Sequence, residues 1–74
     1  MTGDIRKLLT AQPFVPFTIH TADGGKVRVP TAGHVLVFPQ GSRVLITHDD
    51  DSFDVLSALL INRLTVDPQS PIAS

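Results

Sequence analysis

Seventy-four residues, 42% hydrophobic and 18% charged, make one small globular domain and exclude a disordered chain. The formal net charge of -1 shows none of the basic excess that a dedicated nucleic-acid binder carries. Cysteine is absent, which removes disulfides and thiolate zinc sites together, and no run approaches the roughly 18 apolar residues that cross a bilayer.

A domain this short buries only about 60% of the surface its unfolded chain exposes, so its own core is marginal. With the covalent and thiolate-metal supplements gone, association with another copy is the most economical remedy. The first nine residues, Met-Thr-Gly-Asp-Ile-Arg-Lys-Leu-Leu, lack the order of charged region, long apolar run and cleavage site that marks a leader. A cytoplasmic location is the expectation.

Ile5, Leu8 and Leu9 fall at i, i+3 and i+4, opposite Arg6, Lys7 and Thr10, and predict a helix over residues 2–11. Thr2 suits the N-cap and Asp4 the positive end of the dipole. Pro13 ends the helix by pushing Gln12 out of the helical region. Phe14 and Phe17, in the stiff Phe-Val-Pro-Phe hinge, are expected to pin the helix onto the barrel.

Phe17 to Thr21 alternates and reads as the first strand, and Lys26 to Val29 as the second, with Val27 and Val29 inward. Asp23-Gly24-Gly25 between them is a tight-turn signal, because glycine accepts positive φ. Pro30-Thr31-Ala32-Gly33 bends the chain, making residues 26–38 one long broken strand. The β-branched runs 35–38 and 44–47 flank Pro39-Gln40-Gly41-Ser42 and read as the central hairpin. Both parities of each run are apolar, Val35 and Val37 against Leu36 and Phe38, Val44 and Ile46 against Leu45, so this hairpin is expected to be covered on both faces. After the Asp49-Asp50-Asp51-Ser52 turn come a strand at residues 53–56, with Val55 inward, a 3₁₀ turn at 57–60 and a closing strand at 61–66. Residues 67–74, with two prolines and small polar side chains, read as a disordered tail.

The order therefore predicts a mainly β domain over residues 1–66. It is a small SH3-like or Sm-like barrel of five or six strands with one N-terminal helix, since closure removes vulnerable edges. Two resemblances attach to it. Pro13-Phe14-Val15-Pro16-Phe17, Asp23-Gly24, Gly33-His34-Val35-Leu36-Val37 and Leu59-Leu60-Ile61-Asn62-Arg63-Leu64 resemble a family of short uncharacterised bacterial proteins, which implies no activity. The architecture is similar to the Sm-like fold, including the bacterial Sm-like RNA chaperone, and Ile61-Asn62-Arg63-Leu64 fits the apolar-x-x-apolar ending of that family's second motif. The resemblance implies rings in which the strand before the 3₁₀ turn pairs with the neighbour's closing strand. Where that family carries Arg-Gly or Lys-His for RNA this chain has Ser57-Ala58, so the RNA site does not carry over.

Catalytic patterns are absent. Ser42, Ser52 and Ser57 lie in no G-x-S-x-G elbow, and Gly24-Gly25 lacks the spacing and the lysine-serine partner of a phosphate loop. No enzyme and no cofactor are expected. His20, His34 and His48 are a zinc-ligand set in type but not in spacing. Asp49, Asp50, Asp51 and Asp54 are no calcium loop, because the sixth position from Asp49 is Asp54 rather than glycine and the twelfth is Leu60 rather than glutamate. They read as a solvated turn. Lys26, Arg28, Arg43 and Arg63 are the candidate RNA-contacting residues, without Trp or Tyr to stack bases and with all four phenylalanines in runs expected to be buried.

Apolar surplus decides between these readings. A single small barrel hides one face of each strand, and Leu36, Leu45, Leu56, Leu59 and Leu60 exceed that capacity. The expected function is a non-enzymatic homo-oligomeric assembly or protein-interaction module, with a ring favoured over a two-fold dimer. The candidate interface is Phe53, Val55, Leu56, Leu60, Ile61, Leu64 and Val66. A ring that binds single-stranded RNA is the alternative. The expected partners are other copies of the chain, with no membrane.

Overall fold

The computed structural model describes residues 2–68 as a mainly β domain with one N-terminal helix. Helix α1 spans Thr2–Thr10, and six strands follow: β1 Phe17–Thr21, β2 Lys26–Val29, β3 Val35–Val37, β4 Arg43–Thr47, β5 Phe53–Ser57 and β6 Ile61–Val66. Two antiparallel three-stranded sheets result, one in the order β2-β1-β6 and the other β3-β4-β5. They do not close into one hydrogen-bonded barrel. The long strand expected over residues 26–38 is broken by a 3₁₀ turn, Ala32–His34, and its halves lie in different sheets. A second 3₁₀ turn, Ala58–Leu60, carries the chain back from β5 to β6, with the Ser57 hydroxyl accepting from the Leu59 amide.

The core lies between the inner faces of the sheets. Ile5, Phe17, Ile19, Val29, Val44 and Ile46 are fully buried, and Ile61 nearly so. Alternation places them there: Phe17, Ile19 and Thr21 point inward from β1, and Val44 and Ile46 from β4. From the helix, Ile5 enters the core while Leu8 and Leu9 pack against it half-buried. The Arg6 guanidinium donates to the carbonyls of Phe38 (2.8 Å) and Pro39 (3.1 Å), tying the helix to the β3–β4 turn. Phe14 and Phe17 pack with ring centroids 6.1 Å apart, and Phe14 lies against the core that Ile5 enters from the helix.

The β3–β4 turn needs its glycine. Gly41 sits at φ +74°, and a Cβ there would lie 3.0 Å from the Thr2 hydroxyl oxygen. Gly41→Ala is therefore expected to cost about 1–2 kcal/mol through left-handed strain alone, read as a lower urea midpoint at unchanged slope.

The registers decide which strand faces one chain covers by itself. Within a single chain the central hairpin is fully covered on one face: Val44 and Ile46 are buried, whereas Leu36 stands outward at 57% exposure and Leu45 is half-buried. The helix explains this, since it packs at the end of the sheets by the β3–β4 turn rather than over the outer face. Val55, expected inward, is exposed, and Leu56 takes the inward position. The reason is pairing with β4, where Val44 stands opposite Leu56 and Leu45 opposite Val55, and directly opposed residues share a face. An apolar row, Leu36–Leu45–Val55, thus crosses the outer face of this sheet.

Hydrogen bonding continues past Val66. The Asp67 amide donates to the Pro16 carbonyl at 3.0 Å, and its carboxylate forms a paired hydrogen bond with the Arg28 guanidinium. Of the expected tail, Asp67 and Pro68 are described, and residues 69–74 lie outside the described residues. Arg28's hydrogen bonds hold the Asp67 carboxyl below its ordinary value of 3.8. The hydroxyl and amide of Ser52 lower Asp50, and the Thr21 hydroxyl followed by the Gly25 amide lower Asp23. All three carboxyls are more acidic folded than unfolded. Their contribution to stability is complete above the unfolded value and is lost as pH falls through the folded ones. The melting temperature is expected to drop below about pH 4, and Asp67→Asn to flatten part of that drop, measured by circular dichroism melts across pH 2–6.

Candidate functional site

On the sheet β2-β1-β6 the outward residues are polar. Lys26 stands opposite His20, and His20 opposite Arg63, so Lys26, His20 and Arg63 form one line across three strands. The register shifts between His20 and Thr21: Arg63 pairs with His20 while Ile61 pairs with Thr21, leaving Asn62 as the extra residue of a bulge. Beside this line opens a cavity of about 410 Å³, lined by His20, Thr21, Gly25, Lys26, Asn62 and Arg63, with Ala22 and Gly24 completing its wall. His20 Nε2 is fixed at 2.8 Å from the Thr65 hydroxyl.

The adjoining β1–β2 turn is closed by its own hydrogen bonds. The Thr21 amide donates to the Gly25 carbonyl and the Gly24 amide to the Thr21 carbonyl, both at 3.0 Å. Asp23 accepts from the Thr21 hydroxyl and, at 3.2 Å, from the Gly25 amide. A Cβ at position 25 would come within 2.7 Å of the Thr21 hydroxyl oxygen, so only glycine keeps this arrangement.

The four candidate RNA-contacting residues separate. Lys26 and Arg63 converge on the cavity, Arg28 is engaged by Asp67, and Arg43 lies on the other sheet opposite Ser57. Nor are all four phenylalanines buried. Phe53 is 63% exposed because β5 is an edge strand and residue 53 falls on its outward parity.

The histidines are dispersed. His34 bridges the Thr31 hydroxyl (2.6 Å) and Asp49 (3.0 Å), His48 pairs with Asp54 (2.9 Å), and His20 lies on the other sheet. Among the described residues no three histidine or acidic side chains gather into a metal-holding group. Thr31–His34–Asp49 has the connectivity of a nucleophile, base and carboxylate, but Asp49 is 97% exposed and the described cavity lies on the opposite sheet. A contact to so exposed a carboxylate is screened by water and is worth little. Asp50 and Ser52 are consumed in closing the acidic turn, with Asp51 at φ +70°.

The candidate interface divides as well. Phe53, Val55, Leu60 and Val66 are exposed, and Leu59, outside the expected set, is the most exposed at 93%. Leu56 and Leu64 pack half-buried on the protein's own core. Ile61 is removed from the candidate interface, because opposite Thr21 on the inner face it is core. No helix among the described residues is long and apolar enough to cross a membrane. The chain matches no protein family, no curated protein and no solved structure with which it was compared.

Proposed function

We propose that the chain is a non-enzymatic, self-assembling module of the small-barrel class, working in the cytoplasm, in which β5 of one copy extends against β6 of the next. One observation carries this reading. Of the six large hydrophobic residues exposed among the described residues, Phe53, Val55, Leu59, Leu60 and Val66 lie on β5, β6 or the 3₁₀ turn between them; the sixth is Leu36. Those two strands are also sheet edges, paired on one side only. Apolar side chains and unpaired backbone groups thus coincide, and strand addition between copies satisfies both.

Strand order supports the Sm-like or SH3-like form of the reading. Followed through the turn that joins β2 to β3, the order is β6-β1-β2 then β3-β4-β5, open between β5 and β6. A β5-to-β6 contact is head-to-tail, and a repeated head-to-tail contact makes a ring when its rotation closes. The alternative, a ring that binds single-stranded RNA, needs a continuous track of free cations. The Arg28–Asp67 pair and the remote position of Arg43 interrupt it.

Light scattering across 1–100 µM tests the assembly. A mass several times that of the chain is the expected result, and a stable, soluble monomer throughout that range overturns the reading.

A further inference from the structure

The line of Lys26, His20 and Arg63 has a use that self-assembly does not require. Adjacent strands lie about 4.8 Å apart, so the outer two backbones of the line are separated by about 10 Å. Flexible lysine and arginine side chains readily close that gap around one anion. Neither Lys26 nor Arg63 takes part in an ion pair among the described residues, whereas Arg28, His34 and His48 each face a carboxylate. Among the described residues no carboxylate lines the cavity. Asp23, in the adjoining turn, directs an oxygen at the Thr21 hydroxyl and the Gly25 amide, and it opposes two cations with one charge.

Three backbone amides of this turn are already committed: Ala22 donates to the Leu60 carbonyl, Gly24 to Thr21 and Gly25 to Asp23. Recognition therefore falls mainly to side chains. Arg63 supplies a planar fork and Lys26 a point charge, the two complements of a phosphate group. The bulge delivers the Asn62 amide to the same wall, and the Thr65 hydroxyl holds the His20 ring in place. A volume of about 410 Å³ exceeds what one phosphate fills and lies in the range of small-ligand clefts. No phenylalanine lines it, so the cavity offers a phosphate its charge and a base no stacking surface.

We propose that this cleft binds a small phosphorylated ligand through its phosphate or diphosphate group, gripped by Lys26 and Arg63 with Asn62 and His20 beside them. The site is complete within one chain and does not depend on the assembly reading.

The test is a two-dimensional amide NMR titration of the full chain at constant ionic strength, with inorganic phosphate, pyrophosphate, uridine monophosphate and oligo-U as probes. Saturable shifts confined to residues 20–26 and 61–65 are expected with at least one of the small probes. Lys26→Ala and Arg63→Ala should each weaken that probe about tenfold or more, while Arg43→Ala leaves it unchanged. Both cleft variants remove exposed, unpaired side chains, and unchanged melting curves separate lost binding from lost fold. Tighter saturation by uridine monophosphate assigns the phosphate to a nucleotide, and by pyrophosphate to a free oligophosphate; either upholds the site. Shifts that rise linearly without saturating overturn the proposal, as does binding indifferent to both cleft variants. Oligo-U affinity lowered equally by Arg43→Ala and Arg63→Ala also overturns it, since a diffuse polyanion surface would then account for the binding.

Discussion

Val44→Asp is expected to leave the protein unfolded, and Ile46→Asp to do the same. Both residues are fully buried on β4, the central strand of its sheet. Val44 stands opposite Val37 on one side and Leu56 on the other, and Ile46 opposite Val35 and Asp54. Val44 therefore has only apolar cross-strand neighbours. A carboxylate there would lose its hydration, and the unpaired buried charge costs several kcal/mol. Total stability for a domain of this size lies toward the low end of 5–15 kcal/mol, at about the same magnitude. For Ile46 the penalty is compounded by a second carboxylate directly across the strand pair, Asp54, which repels the new one. Ile46→Val, by contrast, removes one methylene, costs about 0.5–1.5 kcal/mol and leaves the domain folded. Amide NMR dispersion distinguishes the cases: collapsed spectra for the two aspartates and a native-like one for the valine. Well-dispersed spectra from either aspartate variant would refute the placement of β4 at the centre of the core.

The contrast between residues 44 and 55 shows how much of the fold the sequence made legible. Strand positions followed from β-branched alternation and from Asp-Gly-Gly, Pro-Gln-Gly-Ser and the aspartate run between the strands; the helix followed from its three-residue apolar stripe. The inward residue of β5 did not follow, because Phe53 and Val55 on one parity compete with Leu56 on the other. Only pairing with Val44 and Leu45 decides between them. Closure of the sheets was equally hidden, since no local pattern records whether edge strands meet across a fold.

The cleft was half legible. Its basic residues are evident by type, but Lys26, His20 and Arg63 become neighbours only through the long-range β1–β6 register, across 43 positions from His20 to Arg63. The bulge that frees Asn62 has no local signature either, such as a glycine in β6.

Replacing Phe53 and Val55 together by lysine is expected to dissolve the assembly without unfolding its subunits. Both side chains point outward from an edge strand, at 63% and 49% exposure, so the monomer gives up little packing when they change. In a contact between β5 and the next copy's β6 the same side chains become buried. Their remaining apolar area, at roughly 25 cal/mol per Å², contributes about 2 kcal/mol to each contact, and two lysines add the cost of desolvating charge. Each contact should weaken by roughly 30-fold or more, enough to show monomer where the parent chain is assembled. Leu56→Lys and Ile61→Pro make poorer tests, because Leu56 packs on the core and Ile61 belongs to it, and either change would damage the subunit itself. The informative control is Leu36→Lys. Leu36 is as exposed as Val55 but sits on β3, at the far edge of the same sheet. If edge pairing builds the assembly, Leu36→Lys leaves the sedimentation coefficient unchanged while the β5 double variant falls to the monomer value. Dissociation by Leu36→Lys as well as by the double variant would instead place the contact on the outer face of the β3-β4-β5 sheet, which carries both Leu36 and Val55, and pairing between β5 and β6 would be refuted.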